Sequence, residues 1–172
     1  MLETLILYLL LDKSYTMYTI RKHIKDDFGA FLTPSFGGLS PALKRLEQKG
    51  CIKSGKLMSE GGRMSVFYEI TPDGKKELNR QLIEDLSINP YHFFLSARLR
   101  VVMSDVLSIE ERKRLYLIIK SRAQKFKAEA QKAQFNNENA FYYNLIKDNI
   151  TCEYQNLITL IESLEKDNGR NS

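Results

Sequence analysis

Tryptophan is absent from this chain, cysteine and histidine occur twice each, and residues 91–168 contain neither glycine nor proline. The two cysteines, Cys51 and Cys152, form no CxxC pair and no metal-ligand spacing, and they read as core thiols of a reducing cytoplasm. His23 and His92 stand apart from any ligand-spaced cysteine or carboxylate and read as surface or interface residues. No phosphate-binding loop, nucleophile elbow or metal signature occurs, and Gly61-Gly62 alone does not cradle a phosphate. The expectation is a protein that is not an enzyme, with no catalytic residue, metal or cofactor. Long hydrophobic runs are missing too. The apolar stretch over residues 1–11 is far shorter than the roughly 20 residues of a membrane span. It also lacks a basic n-region and a cleavage site, so it reads as a buried helix, and no membrane association is expected.

What remains is ordinary in amount and uneven in placement. The 172 residues are 43% hydrophobic and 27% charged, which excludes wholesale disorder and predicts one domain, or a small domain with a helical appendage. Eight of the nine glycines lie at or before Gly74, and the four prolines are 34, 41, 72 and 90. A turn-rich front therefore precedes a helical back. The net charge of +5 suits a polyanionic partner but is weak evidence by itself.

In the front, Leu2, Leu5, Ile6, Leu9 and Leu10 repeat at helical spacing, whereas residues 12–16 are polar and can turn. A second amphipathic helix carries Met17, Ile20, Ile24 and Phe28, with Gly29 as its C-cap. Ser35 is the N-cap of a third helix over residues 36–49. Leu39, Ala42, Leu43 and Leu46 form that helix's core stripe. Gly37, Ser40, Pro41, Lys44, Arg45 and Gln48 fall around the other side, small at the first turn and basic further on. A helix entering the major groove of DNA needs that order. A solvated face has the same composition. Two strand-like runs, 51–57 and 64–70, flank a tip with Gly61, Gly62 and Arg63, and Thr71-Pro72 restarts a helix. Three helices and then a hairpin is the order of a winged helix-turn-helix.

The residues in this region resemble the PadR family of winged-helix transcription regulators. The resemblance rests on the run from Gly38 through Glu47 (GLSPALKRLE) with Gly50, then Glu60-Gly61-Gly62-Arg63, then Phe67 through Thr71 (FYEIT) with Gly74. Tyr18-Thr19-Ile20 is similar to the family's Tyr-x-Ile/Leu element. The resemblance implies an operator-binding dimer with DNA contacts from Tyr18, Ser35, Gly38, Ser40, Lys44 and the wing tip, Gly61, Gly62 and Arg63. Departures from the family are Ser40 where Tyr is usual, Thr16-Met17 for His-Gly, Phe67 for Tyr, and no basic residue near Val66. The back half resembles, in pattern and length, the α-helical C-terminal domain of the longer, virulence-activator branch.

That back half opens a helix at Asn89-Pro90, carries a capping box at Ser108 and Glu111, and places two helices of about 26 residues around Asn136-Asn137. The last helix puts Tyr142, Ile146, Ile150, Leu157, Ile161 and Leu164 on one stripe, with Leu145, Cys152 and Ile158 beside it. So wide an apolar face asks for a further partner, and a second copy of the chain is the economical one. Between Arg112 and Lys132 there are eight cations and one acid, read as a solvated face pairing with acids of the last helix. Tyr91, Phe93 and Phe94 are placed where a planar aromatic effector could stack, a packed core being the other reading. The family stacks such ligands on tryptophan, which this chain lacks.

The expected fold is mainly α: a winged helix-turn-helix DNA-binding domain over residues 1–86, then an α-helical antiparallel dimerisation domain over 87–172. The expected function is a cytoplasmic, homodimeric regulator that binds a palindromic operator in double-stranded DNA, acts as a repressor, and is relieved by a small effector. The alternative is a helical adaptor or interaction protein that has lost specific DNA binding.

Overall fold

The computed structural model describes residues 1–58, 64–84, 86–134 and 140–168. The chain divides into two compact units, Met1–Glu84 and Asp85–Ser172.

In the first unit the order is α1 (Leu2–Leu9), β1 (Tyr15–Thr16), α2 (Met17–Phe28), α3 (Phe36–Gln48), β2 (Ile52–Met58), β3 (Met64–Ile70) and α4 (Pro72–Ile83). Leu5, Ile6 and Leu7 of α1, Ile20 and Ile24 of α2, and Leu39, Leu43 and Leu46 of α3 are buried together with Ile52, Leu78 and Leu82. Each such side chain contributes roughly 1.5–3 kcal/mol by leaving water. The helices begin where short-range chemistry says they should. Thr16, Ser35 and Thr71 each accept a hydrogen bond from the backbone N–H three residues on, and Pro72 sits in the first turn of α4. Gly50, just past α3, has φ +70°, the left-handed turn that lets the chain reverse into β2.

One expectation changes here. Residues 12–16, read as a turn, end in a short strand: Tyr15 pairs with Tyr68 and Thr16 with Phe67, so the antiparallel sheet has the order β1-β3-β2. Two residues carry no periodicity, and only β3's open edge makes them a strand. Gly29 does cap α2, but at φ −58° it stays right-handed, and the N–H groups of Phe31 and Leu32 turn back to the carbonyl of Phe28.

The second unit contains α5 (Pro90–Val102), a 3-10 turn (Met103–Val106), α6 (Ile109–Lys132) and α7 (Ala140–Asn168). Asn89 caps α5, and Ser108 with Glu111 closes the capping box of α6. The Arg112 guanidinium donates to the carbonyls of Ser104 and Leu107 at 3.1 and 3.2 Å, which fastens the turn between α5 and α6. Lys120 pairs with Glu162 and Glu165, and Lys127 with Gln155, so α6 and α7 run antiparallel. Their core is Leu115, Ile119, Ala123 and Phe126 against Tyr154, Leu157, Ile158 and Ile161.

The stripe expected along α7 is thus split: Leu157 and Ile161 are buried and Leu164 half-buried, while Tyr142 and Ile146 are 75% and 61% exposed. The register explains it. Carrying the Lys127–Gln155 pairing on to the end of α6 at Lys132 arrives near Ile150, so the first turns of α7 have no α6 beside them. Cys51 is buried, but Cys152 is exposed and is not a core thiol. The expected break at Asn136-Asn137 lies outside the described residues.

Candidate nucleic-acid interface

The surface of interest is the outer side of α3 with the β2–β3 hairpin beside it. Ser35 Oγ accepts the Gly38 N–H at 3.2 Å, which fixes the N-terminus of α3 and leaves Gly37, Gly38, Ser40 and Pro41 exposed along its first turns. A Cβ on Gly38 would meet Ser35 Oγ at 3.8 Å and a Leu2 methyl at 3.9 Å, ordinary contacts. The fold therefore tolerates a side chain there, and what glycine adds is a bare backbone that another molecule can approach closely. Pro41 has no N–H to give, so the Gly37 carbonyl keeps its acceptor capacity at this surface.

Arg21 holds the α2–α3 turn. Its Nε donates to the Pro34 carbonyl at 3.3 Å, and its guanidinium lies 4.5 Å from the Phe36 ring centroid. Tyr18, in the first turn of α2, is 66% exposed.

The cations of α3 separate by role. Arg45 Nε lies 2.6 Å from Glu3 and Lys49 Nζ 3.3 Å from the same carboxylate. Burial opposes ionisation of Glu3, but the hydrogen bonds from Arg45 and Lys49 outweigh it and hold its carboxyl below the usual range. Arg45 is thereby committed to the domain. Lys44, one position earlier, is exposed and makes no ion pair among the described residues. Glu3 was missed from sequence because it lies 42 residues from Arg45.

In the hairpin, Gly61, Gly62 and Arg63 lie outside the described residues. The strands beside them are in register from Ile52↔Ile70 to Met58↔Met64. Ser54 donates to Glu47 of α3, so the strand face bearing Ser54 and Tyr68 is the one turned to α3. Burial and then the Glu47 charge push the Tyr68 hydroxyl up from its ordinary value.

Of the three aromatic residues singled out for an effector, Phe93 and Phe94 meet edge-on at 5.7 Å and both pack against Tyr154, whereas Tyr91 stands apart from them. Phe93 is fully buried, 5.3 Å from Phe126; Phe94 stacks on Tyr154 at 4.7 Å; Tyr91 is 83% exposed and meets His92 edge-on. Among the described residues no group of three or more His, Cys, Asp and Glu converges as a metal ion would require. No helix among them is long and apolar enough to cross a membrane.

Three helices with a cross-strand hairpin, a capped third helix and an unobstructed outer face define a winged helix-turn-helix of the DNA-binding class. Residues 6–80 match the transcriptional regulator PadR-like family, and through that segment the chain belongs to it. No curated protein matches the chain. Among solved structures it is similar to Bacillus subtilis PadR in complex with operator DNA, at 21% identity and TM-score 0.48 over 95% of this chain and 97% of that one. It is also similar to a PadR family transcription regulator from Clostridium difficile, at 34% identity and TM-score 0.40 over 45% of this chain and 78% of that one. A transcriptional regulator from Clostridium thermocellum matches at 32% identity and TM-score 0.42, over 46% and 76% of the two chains.

Proposed function

We propose that this PadR-like regulator binds a palindromic operator as a homodimer, inserting α3 into the major groove and acting as a repressor in the cytoplasm. The observation that carries the reading is the outer face of α3, where a capped N-terminus exposes Gly37, Gly38 and Ser40, and where Lys44 has no ion pair among the described residues while Arg45 and Lys49 are held by Glu3. The N–H groups of a helix N-terminus favour phosphate, and a small first turn lets the helix approach base edges. Ser35, Gly38, Ser40 and Lys44 are the contacts of this face and Tyr18 of α2 is a further one, with Gly61, Gly62 and Arg63 reaching the flanking backbone.

The dimer is supported by the second unit, where Phe141, Tyr142, Leu145 and Ile146 form an exposed apolar surface on α7. A two-fold pair of readers suits half-sites one helical turn apart. In this reading residues 1–86 are the DNA-binding domain and 87–172 the dimerisation domain. An aromatic effector would have to compete for the Phe94–Tyr154 stack, since Phe93 and Phe94 already pack on each other and on Tyr154 while Tyr91 is exposed apart from them.

The test is a mobility shift with the DNA upstream of the chain's own coding sequence. Wild type should retard it, and Lys44→Gln should bind about tenfold more weakly, a loss of about 1.4 kcal/mol. If folded wild type retards no duplex, the helical-adaptor reading replaces this one.

A further inference from the structure

We propose that Lys56 is a phosphate-contacting residue of the DNA interface, so that the wing engages DNA through its α3-side face as well as its tip. The inference rests on the DNA-binding reading above and deepens it.

The ladder assigns the faces. Ile52 and Ile70 pair at the base and are buried, Ser54 and Tyr68 pair one step out, and Lys56 pairs with Val66 one step further. These residues alternate along the strands and so lie on one face. Ser54 ties that face to Glu47 of α3. The Lys56 side chain therefore projects from the side of the wing that turns toward α3, beyond the point where α3 covers it, and it is exposed. Lys53 points the other way and is spent: its Nζ lies 3.2 Å from Glu69, its cross-strand partner.

The same division holds across the reader. Of the described cations in α3, its C-cap and the two wing strands, Arg45 and Lys49 are held by Glu3 and Lys53 by Glu69. Lys44 and Lys56 have no acidic partner among the described residues. Among the described residues, the two lysines of this set left without an acid are thus the one on the outer face of α3 and the one on the wing face adjoining α3. The acid between them, Glu47, accepts the Ser54 hydroxyl one rung inward of Lys56. Outward of Lys56, Met58 and Met64 form an exposed thioether pair, 71% and 56% accessible. Apolar side chains flanking a lone cation suit a sugar-phosphate edge, where the cation meets phosphate and the thioethers meet deoxyribose.

Anisotropy titrations of the full chain test this with a fluorescein-labelled duplex of about three helical turns from the same upstream DNA, and with a scrambled duplex of equal composition. Wild type, Lys56→Gln and the charge-matched control Lys53→Gln are compared between about 50 and 200 mM salt. Each phosphate contact adds about 0.9 to the slope of log affinity against log salt, so Lys56→Gln should bind both duplexes more weakly by the same factor. Its affinity loss across that salt range should be smaller by about 3.5-fold than that of wild type. Lys53→Gln should keep the wild-type slope. A wild-type slope in Lys56→Gln, or equal slope losses in both variants, overturns the role of Lys56 while leaving DNA binding intact. Absence of salt-dependent binding by wild type itself overturns both readings.

Discussion

Glu77 and Glu3 do at the residue scale what the hydrophobic core does at larger ones: they decide how α1 is held. Thr4 donates to Gln81 at 2.7 Å, and Gln81 in turn donates to Glu77 at 2.7 Å, while Glu3 binds Arg45 and Lys49. One side of α1 is thereby fixed to α4 and the other to α3. Hydrogen bonding by Arg80, reinforced by Gln81, outweighs burial and draws the Glu77 carboxyl down from 4.5 to about 2. The folded state binds this proton less readily than the unfolded chain. The stabilisation is therefore complete above pH 4.5 and is lost as pH falls toward about 2. Thermal melts of Glu77→Gln should lie below wild type near neutral pH, and the gap should close across that acid window. A gap independent of pH would show that ionisation of Glu77 is not what stabilises. The helical wheel puts Arg45 with Lys44 on the outer side of α3, where a solvated face and a DNA contact are both open. Only the packing of α1 against α3 supplied the carboxylate that settled it.

Among the elements, the crossing of α4 over the turn after α3 is the tightest joint. Thr71 Oγ1 accepts the Gly74 N–H at 3.0 Å and donates to the Gly50 carbonyl at 2.6 Å. A Cβ at Gly74 would stand 2.0 Å from the Cys51 carbonyl oxygen and 2.8 Å from an Ile70 side-chain carbon. A backbone oxygen cannot step aside as a side chain can. Gly74→Ala should therefore cost about 3 kcal/mol and lower the melting temperature of this unit by roughly 10 °C or more. Differential scanning calorimetry reads this directly, and an unchanged transition would mean that α4 shifts freely over the turn. The caps at Ser35, Thr71, Asn89 and Ser108 were legible from sequence because a cap acts on an N–H two or three residues away. Strand β1 was not, because its identity lies in a partner more than 50 residues distant.

For the molecule as a whole, the question is what covers the start of α7. Leaving Phe141, Tyr142, Leu145 and Ile146 in water forfeits burial worth roughly 1.5–3 kcal/mol for each side chain, which a second copy would recover. Ile146→Glu should weaken self-association by about 2 kcal/mol or more, moving sedimentation velocity from dimer to monomer with helical content unchanged. A wild-type chain that sediments as a monomer would remove the dimer. The basic block of α6 divides rather than behaving as one surface. Lys120 pairs with acids of α7 and Lys113 with Glu110 of its own helix, while Arg114, Lys125 and Lys132 are exposed with no acidic partner among the described residues.

By itself the sequence determined the helices, their caps, the hairpin and the outer face of α3, because periodicity, capping and turn chemistry act over a few residues. Its family motifs marked the reader for the same reason, being short and contiguous. Tertiary structure alone decided which cations remain available. Lys44 and Arg45 are adjacent and alike in chemistry, and so nearly are Lys53 and Lys56. One of each pair meets a carboxylate brought by another element, Glu3 from α1 or Glu69 from β3, and among the described residues the other does not. Charge availability depends on distances across the fold, and no local pattern in the chain encodes those distances.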